Sequence, residues 1–462
     1  MTLRSQSADD VRRMQTVGVS NLRDEVHRNR SEGDHLAVSV QKVLEFRQAR
    51  AEQTAREIYA SRSLFDSRFM PASPSGLEAE NFRVCLVWLV RVVQHYFVFL
   101  QLGIVTALVW ANVDYEGYTS LWGSGESAHA FSFHFFVNDI FMALFFGVAM
   151  VHVTTALLPD GALYPLNRAL SPLLGTLGGV VGPACLYLFL VAVEGEFNSQ
   201  YQGWAACIAT DISVAWLLAV QVFGGPHPAV QFLLLLAVVD DVVGLVVIAI
   251  CFPTGAMQPV WILMVAGSIA TSLVLRLVLK IQTWYPYIFI SGPLAWYGLY
   301  EFGVHPALAL CLVVPFIPGR ANLEKFDHDC SLVVHVGLFF FALCNAGVVL
   351  TQIGLPTLNV GLSLVAGKTV GIFAFTFFGI KCLRLQLPVG MHTVHLALLA
   401  HISGVGLTVS LFVIELAFTD PVLRDEAKLG ALLSVVVAPS AIALGHILKF
   451  QTPEPKLEEG HS

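Results

Sequence analysis

From residue 84 onward the chain is a succession of apolar stretches, each about as long as a bilayer is thick. In lipid every backbone amide and carbonyl must be satisfied inside the structure, so stretches of about twenty apolar residues are expected to be helices. Twelve candidates can be marked, at 84–110, 134–157, 172–194, 203–222, 229–252, 258–279, 284–301, 303–318, 329–352, 359–384, 392–418 and 427–449. The seventh and eighth are the least separable, and merging them would leave eleven. Composition agrees: 56% of the residues are hydrophobic and 13% charged, with a mean hydropathy of +0.69. The fold class expected is an all-α polytopic membrane protein.

Three regions follow from the distribution of charge. Residues 1–80 read as a cytoplasmic N-terminal extension, 81–450 as the transmembrane domain and 451–462 as a cytoplasmic C-terminal tail. Residues 1–35 have no apolar core of a signal peptide, which points to an N-terminus that stays inside. A helix-like stretch at 36–58 carries only the thin apolar stripe Leu36, Val40, Val43, Ala51, Ala55 and Ile58, interrupted by Arg47. It reads as a solvated or membrane-surface helix, with PASPSG at 71–76 as the linker into the membrane.

Loop charge orients the bundle. Arg168, Arg276, Lys280, Arg320, Lys325, Lys381 and Arg384 fall on one side with the tail residues Lys449 and Lys456, whereas 111–133 and 195–202 have no Lys or Arg. Only Arg424 and Lys428 stand against the trend. The positive-inside rule puts both termini in the cytoplasm, with the protein multi-pass in a bacterial-type inner (plasma) membrane. The net charge of −7 points to no nucleic-acid partner. The cysteines, mostly within or at the ends of apolar spans and without metal-ligand spacing, read as small packing residues.

Charges inside the spans carry the functional argument. Asp240 and Asp241 stand side by side in AVQFLLLLAVVDDVVGLVVIAIC (229–251), where each acid costs about 2.5–3.5 kcal/mol on insertion scales. The second span holds Asn138 and Asp139, the fourth Thr210 and Asp211, and the tenth Lys368. Four carboxylates and a lysine on four apolar helices exceed what scaffolding needs and suggest an ion pathway. The eleventh span places Gly404 and Gly406 beside Ser403 and Thr408, where a helix can unwind or pack closely on a neighbour. Interrupted segments in corresponding halves are the pattern of an inverted-repeat transporter with its site near the midplane.

These residues resemble the NhaA-type sodium/proton antiporter family. The resemblance rests on VNDIFMALFF (137–146), GWAACIATDISVA (203–215), AVVDDVVGLVVIAI (237–250), GVHPALAL (303–310), FFFALCNAGV (339–348), GKTVGI (367–372), GVGLTVSLFV (404–413) and AKLG (427–430). It implies that spans 4 and 11 are interrupted and cross, and that Asp241 binds sodium or a proton in turn. It also implies that Asp240 pairs with Lys368, that Thr210 lies beside the ion, and that Asp211 offsets two facing helix N-termini at the crossing. Lys368 would offset the opposite pole, and Asn138 and Asp139 would support the site. A homodimer is compatible with the resemblance.

The residues suggest the chemistry directly. Adjacent carboxylates in a dry site cannot both ionise cheaply, so sodium has to displace a proton. A hard cation and a proton compete for the same oxygen lone pairs, and competition suffices for exchange. The expected function is alternating-access, electrogenic Na+/H+ antiport for pH and sodium homeostasis, with Li+ as a further candidate cargo. This is a secondary active transporter, not an enzyme, and calls for no cofactor.

Some positions depart from the family pattern. His152, Thr154 and Thr155 stand where the family has a charged, pH-sensing cluster, so pH gating would fall to His152, if to any group there. His401 and Glu415 are added ionisable groups, placed either along the ion path or at wet helix ends, and the N-terminal extension is longer than the family's. Two alternatives use the same membrane fold. A sodium-coupled organic-anion symporter would not need the aspartate pair and Lys368, and a non-transporting sensor would not need an intact ion site.

Overall fold

The computed structural model describes residues 98–122, 133–158, 166–224, 227–253, 258–388 and 390–448. The extension and tail expected at 1–80 and 451–462, the helix-like stretch at 36–58 and the start of the span expected at 84–110 lie outside the described residues.

Among the described residues the regular elements are all helical. In chain order they are α1 (Val98–Val113), α2 (Tyr115–Trp122), α3 (Phe133–Leu157) and α4 (Leu166–Glu194). The bent pair α5 (Phe197–Cys207) and α6 (Ile212–Phe223) is followed by α7 (Pro228–Cys251), α8 (Pro259–Val278) and α9 (287–302). The chain ends in α10 (Pro306–Phe316), α11 (Arg320–Asn345), α12 (Leu355–Cys382), α13 (Thr393–Ile402), α14 (Thr408–Ala417) and α15 (Pro421–Ile447).

Seven of these are long and apolar enough to cross a membrane, and α5 with α6 makes an eighth. Helices α1, α10, α13 and α14 are apolar but shorter. The structure therefore gives a polytopic helical protein, with fewer full-length spans among the described residues than the twelve apolar stretches. Two of those stretches are broken by backbone that leaves the helix, at 208–211 and 403–407. The expected span at 329–352 runs instead from Arg320 to Asn345, because the charged first turns of α11 continue the helix while 346–354 leaves it.

Lipid-facing and buried faces follow helical spacing. Leu102, Val105 and Val109, three and four residues apart, are exposed on α1, while Leu100, Gly103, Ala107 and Ala111 are buried. In lipid, helices associate through close packing rather than through a hydrophobic drive, and small residues permit that approach. Gly178 of α4 and Gly371 of α12 show it: a Cβ on either would strike the other's carbonyl.

Packing sorts the helices into two groups within one compact unit. Helix α4 packs against α5, α7 and α12; α6 packs on α7 and α15; α13 and α14 pack on α15. The second group joins α1 and α3 to α11, α3 to α10, and α8 to α9. The groups meet where α7 lies against α3 and α14 against α11, and Phe412 of α14 stacks edge-on with Phe146 of α3.

Candidate ion-binding site at the helix crossing

The first group is built around the two breaks. Where α5 ends and α6 begins, Asp211 leaves the helical conformation, and its amide donates to the Val405 carbonyl in the other break. Helix N-termini present unsatisfied amides and partial positive charge. Here α6 and α14 share one counter-charge: Asp211 Oδ1 accepts from Val214 N at 3.2 Å, and Asp211 Oδ2 accepts from Thr408 N at 3.3 Å. Asp211 and Thr408 are both buried.

The opposite pole is met by a cation. Lys368, fully buried on α12, donates to the Ile208 carbonyl at the end of α5. Its Nζ also lies 3.3 Å from Asp240 Oδ2, so one ammonium serves a helix C-terminus and a carboxylate. A wide π-helical turn at Ser363–Gly367 directly precedes Lys368, and such turns recur at functional positions.

Asp240 is fully buried on α7, and Thr210 Oγ1 donates to its Oδ2 at 2.7 Å. Thr210 is thus bonded to Asp240 rather than to Asp241. Asp241, partly buried, lies within electrostatic reach of Asp240, Asp211 and Lys368. One oxygen of each acid, Asp240 Oδ1 and Asp241 Oδ1, is buried without a hydrogen-bond partner. A buried acceptor without a donor is costly, so each of these oxygens has a reason to take up a proton or a cation. Among the described residues no three His, Cys, Asp or Glu side chains converge as metal ligands. A cation held here would rely on the two carboxylates and on neutral oxygens such as Thr210 Oγ1, a weak set suited to an ion that must leave again.

The break at 403–407 depends on small residues for space rather than for left-handed backbone. A Cβ on Gly406 would come within 2.6 Å of Ser410 Oγ and 3.0 Å of the Ala209 carbonyl; one on Gly404 would meet the Leu364 carbonyl at 3.0 Å. The Gly406 amide donates to Ser434 Oγ at 3.1 Å, and Ser410 Oγ donates to the Ala206 carbonyl at 2.8 Å. These serines satisfy backbone groups freed by the break, as irregular backbone inside a membrane requires.

The other expected residues are distributed more widely. Asn138 and Asp139 lie in the second group, on a π-helical stretch of α3. Asn138 Oδ1 accepts from Asn345 Nδ2 at 3.0 Å, and Asp139 Oδ1 lies 3.8 Å from His305 Nε2. Neither side chain is hydrogen-bonded to the aspartate pair. His152 is on the last turns of α3, partly buried. His401 lies among three helices, 2.8 Å from Ser440 Oγ on α15 and 3.5 Å from Thr369 Oγ1, next in chain to Lys368.

Sequence reasoning missed the close α4–α12 packing that supports Lys368. The signal was present as Gly178 and Gly182 on one helix and Gly367 and Gly371 on the other, small residues four apart. It also left Arg424 and Lys428 unexplained, and the structure accounts for both. Glu415 Oε1 lies 3.1 Å from Arg424 Nη1, and Glu415 Oε2 lies 2.7 Å from Lys428 Nζ. Glu415 therefore neither faces bulk water nor belongs to the aspartate site.

The family model described as Na+/H+ antiporter 1 matches residues 91–446. The Na+/H+ antiporter NhaA of Geobacter sulfurreducens is 43% identical over 376 residues, 78% of this chain and 97% of that protein. The Na+/H+ antiporter NhaA 1 of Pelobacter propionicus is 44% identical over 363 residues, 75% of this chain and 94% of that protein. A more distant relative, the Na+/H+ antiporter NhaA of Jannaschia sp., is 34% identical over 411 residues, 78% of this chain and 97% of its own length. With apolar helices of spanning length, this is an integral membrane protein. The chain belongs to the Na+/H+ antiporter 1 family.

Proposed function

We propose that this protein exchanges Na+ for H+ across the membrane through the Asp240–Asp241 pair. One observation carries the reading: two adjacent carboxylates each keep a buried oxygen without a donor, beside a buried lysine that already bonds one of them. Two unit charges this close in a dry site repel strongly, so a single added positive charge is favoured over none or several. A proton and a sodium ion each supply that charge, and each excludes the other.

Lys368 gives the exchange its second proton. When a cation approaches the pair, it competes with the ammonium for Asp240 Oδ2, and a lysine deprived of its carboxylate in a fully buried position sheds its proton. Release of more than one proton per sodium makes the cycle electrogenic. Asp211 holds the two half-helix N-termini together through both arrangements. Both termini face the cytoplasm, as the loop charges favour, and the protein works as a secondary active transporter in the inner membrane.

The test is sodium-driven collapse of a preset pH gradient in proteoliposomes. The wild type should collapse the gradient with Na+, and Li+ run beside it defines the cargo. Asp241→Asn should abolish the response at equal protein content. A wild type that moves no protons with either cation would overturn the proposal.

A further inference from the structure

Among the described residues, the polar contacts that bridge the helix groups include two at the same face. Tyr115 Oη, on α2, donates to Asp425 Oδ2 on α15 at 3.0 Å. His134 Nε2, on the first turn of α3, lies 3.9 Å from Glu415 Oε1 at the end of α14. By contrast, the bonds from Tyr118 to the Leu343 carbonyl and from Asn345 to Asn138 stay within the second group. Those from Asn359 to Glu194 and from Thr176 to the Leu236 carbonyl stay within the first.

Transport by alternating access moves one body of helices against another around a fixed site, so contacts bridging the bodies at one face must break when that face opens. The two bridging contacts lie at the C-terminal end of α14 and the start of α15, which is the outer face in the orientation given by loop charge. From these placements, and resting on the antiport reading above, we infer that Tyr115–Asp425 and His134–Glu415 form a latch that keeps the outer face closed. The latch sets how often the aspartate pair is presented to external sodium.

The first-group half of the latch is rigid. Glu415 is fixed by Arg424 and Lys428, both of its own group, so its position follows α14 and α15 together. Its far end is coupled to the site: Glu415 and Thr408 are on the same helix, about 10 Å apart along the axis, and Thr408 donates to Asp211. A displacement that frees Glu415 from His134 therefore moves the N-terminus that Asp211 caps. The second-group half is also braced, because His134 Nδ1 lies 3.2 Å from Asn138 Nδ2 and can accept from it, which leaves the Nε2–H to face Glu415, and Asn138 Oδ1 in turn accepts from Asn345 Nδ2.

The test compares the KM for Na+ in right-side-out and everted membrane vesicles. Tyr115→Phe removes a single hydroxyl and leaves the Glu415 ion cluster intact. Loosening the latch raises the outward-open population, so the outer KM should fall about three- to tenfold while the inner KM does not fall. Glu415→Gln should shift the outer KM in the same direction. Adding Asp425→Ala to Tyr115→Phe should give no further change, because both remove one bond. If Tyr115→Phe does not insert, Asp425→Ala, which removes the acceptor, carries the same expectation. An unchanged outer KM, or an equal change on both sides, overturns the latch and leaves the antiport reading standing. A wild type without sodium-driven proton flux in either vesicle removes the antiport reading, and the latch with it.

Discussion

Replacing Asp211 by alanine probes the crossing most sharply, because one side chain terminates two helices. Its two oxygens accept from Val214 N and Thr408 N at 3.2 and 3.3 Å, in a site closed to water. Asp211→Ala leaves both amides buried without an acceptor, at about 1–3 kcal/mol each, which gives roughly 2–6 kcal/mol in all. Asp211→Asn retains one carbonyl oxygen and remains a good N-cap, so it should lose about half of that. The carboxylate's attraction to two facing N-termini belongs to the same loss and is not added again. Unfolding free energies from detergent titration in mixed micelles should rank wild type, Asp211→Asn and Asp211→Ala in that order. An Asp211→Ala variant that unfolds at the wild-type midpoint would show that the two helix ends do not depend on this carboxylate.

Three further outcomes follow. Lys368→Ala leaves Asp240 buried without its cation and should cost about 3–5 kcal/mol, whereas the neutral double variant Asp240→Asn/Lys368→Met should recover most of that stability in the same titration without recovering transport. Gly406→Ala forces Ser410 off the Ala206 carbonyl or shifts the backbone at Ala209, so a loss of about 1–3 kcal/mol should accompany slower exchange in proteoliposomes. His227 caps α7 by accepting from Ala229 N, and burial, with the nearby His392, holds its pKa below the usual value. The folded state thus prefers neutral His227. Its contribution is complete above about pH 6.5 and fades as the pH falls below that, so His227→Asn should lessen the loss of stability on acidification.

The apolar runs alone announced a polytopic helical protein, since nothing else satisfies the backbone of so many long apolar segments. The charged residues were legible for the same reason: Asp240, Asp241, Asp211 and Lys368 are conspicuous in hydrocarbon, and the structure gathers them at one crossing. Less legible was how they are partnered. Thr210 turns to Asp240, and Asn138 turns to Asn345 and not to the aspartates. Rotamers and helix rotation decide such choices, and neither is written in hydropathy. Glu415 could not be placed from sequence because its partners come from a neighbouring helix and, in His134, from the other group. Helix ends shifted where charged turns extended a span, as at Arg320, because hydropathy marks where lipid ends and not where hydrogen bonding does.

If sodium and protons compete for one carboxylate pair, sodium binding must release protons. Purified protein in weakly buffered detergent would be titrated with NaCl while the pH is followed, with choline chloride as the ionic-strength control. Na+ should release protons from the wild type, choline should not, and Asp241→Asn should release none. Saturable sodium binding to the wild type without proton release would contradict that competition.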